Sequence, residues 1–306
     1  MKKIPIFLSL VSLLLLLSGC SKATAPAQIA ATTLPVYDFT TRLCEGTGIT
    51  VTRLVTEEVS CLHDYSLNVS QVKAAEAAEI VVISGAGLEE FLDDILLNAD
   101  TIDASSGIEL IIPGEDHDHS HEHDHDHEEE EAGHSHEGHS HEQDPHIWLS
   151  PANAGIMARN ICNGLTARYP EYADTFATNL ETLTEDLNDL YTYGEETLSS
   201  LSCRDLITFH DGFAYFAQAF DLDILEAVEE ESGSEASAQE LIHLIEEVEH
   251  HSLPAIFTEK SGSVSAAGII TRETGCASFA LDMSMSGDSY FDAMYHNINT
   301  IKEALG

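Results

Sequence analysis

The chain has 306 residues, with 54 acidic and 12 basic side chains and a formal net charge of −42 at pH 7. This charge makes nucleic acids and anionic lipid surfaces poor partners and makes a cation a natural one. The length is enough for one large or two medium domains.

The first residues have the pattern of a secretory signal. Lys2 and Lys3 precede an apolar run at 4–17, which is too short for a comfortable transmembrane helix. We therefore expect a signal peptide at 1–19 and an extracytoplasmic location for the rest of the chain.

The end of this signal is typical of a lipid-modified protein. Residues 17–20 read Leu-Ser-Gly-Cys and resemble a bacterial lipobox, which implies cleavage before Cys20 and lipidation of its thiol. Residues 20–28 are small and polar, as expected of a lipid-anchor tether. The anchor would hold the protein at the outer face of the cell membrane, or in the periplasm where an outer membrane exists. An ordinary signal peptide or an uncleaved anchor is the alternative.

Five cysteines follow Cys20, an odd number without a Cys-x-x-Cys pair. They are Cys44, Cys61, Cys162, Cys203 and Cys276. An oxidising compartment permits a disulfide, but the sequence does not give the pairing. Cys61 lies two residues before His63, so its thiolate is an alternative metal ligand there.

Strand and helix patterns alternate in the first half of the chain. Apolar and β-branched runs predict strands at 29–34, 49–55 and 79–85, and more weakly at 101–104 and 110–113. Helical spacing predicts helices at 35–43, at 88–97 and after a cap at Ser70. This alternation is typical of βαβ units around a parallel sheet, where ligand sites lie at the carboxyl ends of strands.

A segment of histidines and acids at 115–142, here called the His/acid segment, interrupts this alternation. It holds ten of the 17 histidines and 12 acidic residues, without Lys or Arg. Its histidines are His117, His119, His121, His123, His125, His127, His134, His136, His139 and His141. It cannot build a packed core, but its imidazoles can hold metal ions weakly as accessory ligands. A merely solvated acidic loop is the alternative.

Two helices precede the second half. Pro151 opens the first, and a second pattern from Glu171 continues for about 29 residues, or roughly 40 Å. Strands are then predicted at 206–209, 223–228, 255–259 and 277–281, and helices at 213–220, 237–250, 264–271 and 291–305. One long helix between two α/β halves would act as a stiff spine.

Candidate metal ligands recur at strand ends in both halves. His63 follows a strand of the first half, and His210 and Asp282 follow strands of the second. With His146, just beyond the His/acid segment, they offer three imidazoles and one carboxylate. Zn²⁺ accepts this donor set in tetrahedral geometry, whereas a mostly carboxylate set would favour Mn²⁺.

An aspartate directly follows two of the candidate histidines. Asp64 follows His63, and Asp211 follows His210. Either aspartate would orient the imidazole of its neighbour by accepting a hydrogen bond, or would cap a helix. The sequence leaves both roles open.

Five motifs, in this order, carry a resemblance to a known family. They are Cys61-Leu62-His63-Asp64-Tyr65, Gly85-Ala86-Gly87-Leu88-Glu89, Asp144-Pro145-His146-Ile147-Trp148-Leu149-Ser150-Pro151, Phe209-His210-Asp211-Gly212-Phe213-Ala214-Tyr215-Phe216 and Leu281-Asp282. From residue 29 to 306 the chain resembles the metal-binding solute-binding proteins of bacterial ABC importers, in the zinc-uptake branch. Each motif alone is weak, whereas the ordered set is highly specific.

The resemblance implies an α/β fold of two (β/α) lobes with mostly parallel sheets, joined by one long rigid backbone helix. The N-terminal lobe would cover 29–150 and contain the His/acid segment as an insertion. A helical linker at 151–201 and a C-terminal lobe at 202–306 would follow. The metal would lie at the interface between the lobes.

The ligands that the resemblance implies are His63, His146, His210 and a carboxylate at Asp282. The manganese branch usually has glutamate at the third position, so His210 favours zinc. Met283 follows Asp282 where the family commonly has proline, which puts the placement of Asp282 in doubt. Glu259, at another strand end, and a water molecule are the alternatives for the fourth ligand.

The resemblance implies an extracytoplasmic monomer that captures Zn²⁺ and hands it to the membrane permease of an ABC importer. It does not imply an enzyme. A manganese or iron receptor of the same fold is the alternative within this class, and a surface metal buffer or adhesin is the alternative outside it. A zinc hydrolase would need an open ligand position, which a carboxylate closes, and the sequence offers no nucleophile motif.

Overall fold

Each half of the chain builds a four-stranded parallel sheet flanked by helices. The fold comes from a computed structural model, which describes residues 28–57, 59, 62, 65–112, 143–228, 236–260 and 265–306. Cys20, Cys61, His63 and the His/acid segment lie outside the described residues. The predicted fold class, two lobes with parallel sheets joined by a long helix, is confirmed.

The sheet of the N-terminal lobe has the strand order β2-β1-β3-β4. Its strands are β1 (Ile29–Ala31), β2 (Val51–Arg53), β3 (Ile80–Ile83) and β4 (Thr101–Asp103). Its helices are α1 (Leu34–Leu43), α2 (Val69–Ala77) and α3 (Asp93–Leu96). The central strands β1 and β3 are almost entirely buried, as expected for apolar strands covered on both faces.

Two helix predictions in this lobe are wrong in detail. Asn68, rather than Ser70, caps α2, because its side-chain oxygen accepts from the N–H groups of Ser70 and Gln71. Gln71 completes the capping box by accepting from the Asn68 N–H at 2.8 Å. The amphipathic stretch at 88–97 is not one helix but a 3₁₀ turn, Glu90–Leu92, followed by the single turn of α3.

Hydrogen bonds join the described residues on the two sides of the His/acid segment. Residues 110–112 form no strand, contrary to prediction, because the partners of Ile111 are not on a neighbouring strand. The Ile111 carbonyl accepts from the Asp144 N–H at 2.8 Å, and the Ile111 N–H donates to the Tyr215 hydroxyl at 2.9 Å. That hydroxyl donates in turn to the Asp144 carbonyl at 3.0 Å. Ile111 and Asp144, which flank the segment in the sequence, are therefore neighbours in the fold.

Two helices connect the lobes. α4 (Pro151–Arg168) and a 3₁₀ turn precede the long helix α5 (Ala173–Leu198), which packs against α4 on one side. Its 26 residues span about 39 Å. Gly194 lies inside the continuous helix α5, where the ring of Phe220 packs so close to the backbone that an added Cβ would clash with it. None of the helices in the described ranges is long and apolar enough to cross a membrane.

The sheet of the C-terminal lobe has the order β6-β5-β7-β8. Its strands are β5 (Asp205–Thr208), β6 (Asp223–Ala227), β7 (Ala255–Glu259) and β8 (Ala277–Leu281). Its helices are α6 (Ala214–Phe220), α7 (Ala238–His251), α8 (Ser265–Thr274) and α9 (Tyr290–Leu305). All strand pairs are parallel, so β5, β7 and β8 end at one edge of the sheet. That edge faces the candidate site.

Buried hydrogen bonds join the lobes beside this edge. Trp148 Nε1 donates to the Met283 carbonyl at 2.9 Å, and the Tyr290 hydroxyl donates to the Trp148 carbonyl at 2.8 Å. The N–H of Tyr290 donates to Asp38 in α1 at 3.0 Å. Because Trp148 and Tyr290 are fully buried, each broken bond would leave unpaired polar groups at a cost of about 1–3 kcal/mol. The lobes therefore resist separation.

The cysteines that the structure describes are free thiols: Cys44, Cys162, Cys203 and Cys276. Burial raises the pKa of the Cys44 thiol to about 12. Such a thiol stays protonated and unreactive at neutral pH. Cys44 therefore acts as a small packing residue, and Cys61 lies outside the described residues.

Candidate metal centre

His146 is held in one orientation by a nearby aspartate. It lies at the start of the 3₁₀ turn Ile147–Leu149 and is 3% exposed. Oδ1 of Asp144 accepts from the backbone N–H of His146 at 2.9 Å and lies 2.8 Å from its Nδ1. A carboxylate on Nδ1 fixes the tautomer with the proton on that nitrogen. The lone pair of Nε2 is then free to bind a cation.

A different carboxylate faces Nδ1 of His210, at a short distance but without the hydrogen-bond geometry that joins His146 to Asp144. It follows β5, and its Nδ1 lies 2.9 Å from Oε1 of Glu259 at the end of the adjacent strand β7. Glu259 is buried, with 6% of its surface exposed. Burial lowers the pKa of His210, but the nearby carboxylates, Glu259 foremost, outweigh burial and raise the pKa overall. Asp211 adds to this negative field.

The two imidazoles meet across the interface between the lobes. Nε2 of His146 and Nε2 of His210 are 3.3 Å apart, and the ring planes are 85° to one another. In a tetrahedral site with Zn–N bonds of about 2.0–2.1 Å, two nitrogen ligands lie about 3.3–3.4 Å apart. With both Nδ1 atoms protonated, two lone pairs point at each other. A metal ion bound to both lone pairs removes that repulsion, as does a proton shared in an N–H···N hydrogen bond in the absence of metal. The donor pair therefore fits a metal ion.

Gly212 makes the close approach of the rings possible. A Cβ at this position would lie 2.6 Å from Met283 Cε, 2.7 Å from His210 Cδ2 and 2.9 Å from His146 Nδ1. These distances are shorter than van der Waals contact. Any side chain here would push the imidazoles or the thioether away. Gly212 therefore contributes to the site because it has no side chain, which leaves room for both imidazole rings.

Asp282 lies at the same edge of the sheet but is paired with a lysine. Its Oδ2 is 3.2 Å from Lys260 Nζ, and its Oδ1 accepts from the Ser284 N–H at 2.8 Å. The Asn297 amide holds its backbone through two hydrogen bonds of 2.7 Å. A cavity at this place is lined by Val59, Glu259, Lys260, Asp282, Met283, Met285 and Ser286. Val59 lies four residues before His63 in the sequence, and His63 is outside the described residues.

The structure brings some of the predicted ligands together and leaves others untested. His146 and His210 form a pair, Glu259 contacts the nitrogen of His210 that points away from His146, and Asp282 lines the adjacent cavity. His63 and the accessory histidines of the His/acid segment lie outside the described residues. The described site therefore contributes two imidazoles and two nearby carboxylates.

Sequence reasoning missed three contributors to the site. Asp144 was visible in the Asp-Pro-His motif, two residues before His146, which is the spacing at which an aspartate accepts from the N–H of residue i+2. Lys260 and Gly212 gave no comparable signal, because their roles depend on which strands become neighbours.

A candidate site shared by two α/β lobes that one helix connects is typical of solute-binding proteins. Comparison with known families is more specific. The family described as "ZnuA: Zinc-uptake complex component A periplasmic" matches residues 29–304, and the chain belongs to this family. The resemblance noted in the sequence is thereby confirmed, as is the expectation that the chain is a transport component and not an enzyme.

Individual relatives agree with the family. A protein of Treponema pallidum (strain Nichols) described as "Putative metal-binding protein" is 27% identical over 319 residues, covering 99% of this chain and 97% of the relative. The zinc-binding lipoprotein AdcA of Streptococcus pneumoniae (strain ATCC BAA-255 / R6) is 29% identical over 320 residues. That match covers 99% of this chain but 61% of AdcA, so the chain spans less than two thirds of this relative's length.

Solved structures share the fold. The crystal structure of ZnuA superimposes with a TM-score of 0.75 at 26% identity, covering 92% of this chain and all of ZnuA. Zn(II)-bound AdcA from Streptococcus pneumoniae superimposes with a TM-score of 0.71 at 26% identity, covering 90% of this chain and 57% of AdcA.

Proposed function

We propose that this chain captures Zn²⁺ outside the cytoplasm and delivers it to the membrane permease of an ABC importer. The pair of imidazoles from different lobes carries this proposal, because their Nε2 atoms lie 3.3 Å apart and both Nδ1 atoms face buried carboxylates. Zinc is the cargo rather than a resident cofactor. The names of the relatives, which describe zinc-uptake and zinc-binding proteins, support the same cation.

The proposed ligand set is His63, His146 and His210, completed by Asp282 or a water molecule. Glu259 is the less favoured ligand, because its carboxylate already contacts Nδ1 of His210, on the far side of the ring from His146. In that place it orients the imidazole and raises its basicity. Zinc is favoured over manganese and iron because the pair offers imidazole nitrogen rather than a mostly oxygen donor set.

Asp144→Asn is expected to weaken Zn²⁺ binding by about 10–100-fold, as is usual when the carboxylate behind a metal-binding histidine is removed. An amide in this place loses the charge that supports the imidazole and can present an N–H to Nδ1, which favours the wrong tautomer. Competition with a fluorescent zinc chelator measures the effect. Asp221→Asn is a matched control, since Asp221 is exposed at the end of α6. Equal affinities for both variants would contradict the orienting role.

Lys260→Gln is expected to tighten Zn²⁺ binding by about three- to tenfold. The ammonium group of Lys260 repels the cation, and its ion pair with the Asp282 carboxylate competes with metal binding by that carboxylate. The effect is modest because the lysine side chain is 65% exposed. Lys302→Gln, which alters an exposed contact with Ser200, is the control. Unchanged affinity in both Lys260→Gln and Asp282→Asn would exclude Asp282 as a ligand and leave water as the fourth.

Deletion of 116–142 is expected to leave one tight Zn²⁺ site and to remove only weak additional binding. A segment of histidines and acids with almost no apolar residues is expected to bind metal loosely, whereas carboxylates face both imidazoles of the pair at the lobe interface. The contacts among Ile111, Asp144 and Tyr215 close the base of the segment and survive its removal. Isothermal titration before and after deletion gives the stoichiometry. Loss of the tight site with the segment would refute the assignment.

The chain is further proposed to be a lipid-anchored monomer. The lipobox at 17–20, the tether at 20–28 and the lipoprotein name of the streptococcal relative support this anchor. The lobe boundaries at 29–150, 151–201 and 202–306 are retained as part of the proposal.

A transport role is tested by growth and metal content. A strain that lacks the gene is expected to fail in zinc-depleted medium and to recover when Zn²⁺, but not Mn²⁺, is added. Protein isolated from native cells is expected to contain zinc. Normal growth of the deletion strain would instead favour a surface buffer or adhesin, and manganese or iron in the isolated protein would favour the alternative receptor.

A further inference from the structure

The last turn of α7 carries a second cluster of side chains that bind metals. Glu247, His250 and His251 present ligand atoms that all lie within 4.8 Å of one another. Positions i, i+3 and i+4 of a helix share one face, so this spacing brings the three side chains together. The alternation of strand and helix patterns in the sequence did not indicate these three residues as a site, and the proposed function does not use them.

A carboxylate from the sheet faces this cluster. Nε2 of His251 is 3.5 Å from Oε2 of Glu247, and its Nδ1 is 3.5 Å from Oδ2 of Asp205 at the start of β5. The imidazole thus has one nitrogen toward the helix donors and the other toward a supporting carboxylate, as at the interface between the lobes. Asp205 begins β5 whereas His210 follows its end, so the two places lie at opposite edges of the sheet.

The position also favours a cation electrostatically. The fourteen-residue helix α7 ends at His251, and the C-terminal end of a helix carries partial negative charge. Glu247 and Asp205 add two carboxylates. Two imidazole nitrogens and a carboxylate oxygen are a donor set that Zn²⁺ accepts, with water in the fourth position.

We propose that Glu247, His250 and His251 form a second, surface site for a divalent first-row cation such as Zn²⁺, with Asp205 positioning His251. The side chains of Glu247 and His251 are 27% and 31% exposed, so the site is open to solvent and weaker than the interface site. It does not depend on the transport role. A purely structural reading, in which the histidines only pair with carboxylates at a helix end, predicts no response to metal.

The test uses the full chain, diethyl pyrocarbonate as the histidine reagent, and mass spectrometry to read each histidine separately. With free Zn²⁺ set by a metal buffer, carbethoxylation of His250 and His251 is expected to slow by at least about fivefold at up to about 100 µM Zn²⁺. His243, which lies on the same helix and pairs with Glu226 at 3.0 Å, is the internal control and is expected to react at an unchanged rate.

Variants separate the second site from the first. Glu247→Gln is expected to abolish the protection, and Asp205→Asn to raise its Zn²⁺ midpoint by about tenfold. The double variant His146→Ala/His210→Ala is expected to keep it. The proposal is overturned if His250 and His251 react equally with and without Zn²⁺, if His243 is protected to the same extent, or if Glu247→Gln retains full protection.

Discussion

His146→Ala and His210→Ala are each expected to abolish tight Zn²⁺ binding. Apparent binding free energies of zinc sites are about 10–16 kcal/mol, so the loss of one of three or four ligands costs several kcal/mol, or at least about a thousandfold in affinity. The remaining imidazole also loses the second nitrogen ligand of the proposed tetrahedral site. Competition with a zinc chelator of known affinity, together with zinc content after dialysis, measures the loss.

The fold is expected to survive these two substitutions. The carboxylates left behind, Asp144 and Glu259, are the groups that lose a partner, and Asp144 keeps its bond from the residue 146 N–H. Circular dichroism and the midpoint of thermal unfolding, both measured without zinc, test whether the fold survives. His296→Ala is the matched control, because His296 is an exposed histidine whose Nε2 lies 3.1 Å from the Ala280 carbonyl, outside the site. Wild-type affinity in His146→Ala would place the metal elsewhere.

Gly212→Ala is expected to weaken Zn²⁺ binding by about a hundredfold or more without unfolding the chain. One added methyl group lies within 3 Å of both imidazole rings, so at least one ring has to move. A displacement of about 1 Å in one ligand is enough to lose the tetrahedral geometry, since metal sites tolerate deviations of about 0.2 Å. The comparison of zinc affinity with chemical stability of the metal-free protein distinguishes this effect from general destabilisation.

Gly268→Ala is the matched control for the methyl group added at residue 212. Gly268 lies in α8, and a Cβ there meets no atom within 4 Å. The same substitution in this helix is expected to leave zinc affinity unchanged and to stabilise the fold by about 0.5–1 kcal/mol, through the lower entropy of the unfolded chain. If Gly212→Ala binds zinc as well as Gly268→Ala does, the two imidazoles do not bind one ion.

Patterns along the chain were sufficient to predict the architecture. Short apolar runs such as 79–85 and 255–259, each followed by a helical pattern, predicted parallel strands, and both are strands of parallel sheets. Because parallel strands end at one edge, the convergence of His210 with residues at other strand ends followed from the order of elements. His146 was placed with them through the family resemblance rather than through periodicity.

The supporting contacts at the site could not be predicted from those patterns. Glu259 reaches His210 only because β7 is the neighbour of β5, which requires the strand order β6-β5-β7-β8. The pairing of Lys260 with Asp282 depends equally on β7 lying beside β8. Such adjacency is a property of the tertiary fold, and no local sequence signal carries it.

The local errors have local causes. Ile111 was assigned to a strand for its apolar neighbours, but its hydrogen bonds go to Asp144 and Tyr215, which are distant in sequence. Ser70 is an acceptable helix cap, yet Asn68 forms the reciprocal capping box with Gln71 two residues earlier. In each case a specific hydrogen-bond partner outweighed the strand or helix-cap propensity of the local sequence.

The hydrogen bonds that join Trp148 to Met283 and Tyr290 have a kinetic consequence. One imidazole belongs to each lobe, so opening of the interface would separate the two nitrogen ligands of a bound ion. The residence time of such an ion would then depend on how often the interface opens as well as on the strength of the metal–nitrogen bonds. A permease that loosens this interface would shorten the residence time without contacting a metal ligand. Release would then be controlled by the permease rather than by spontaneous opening.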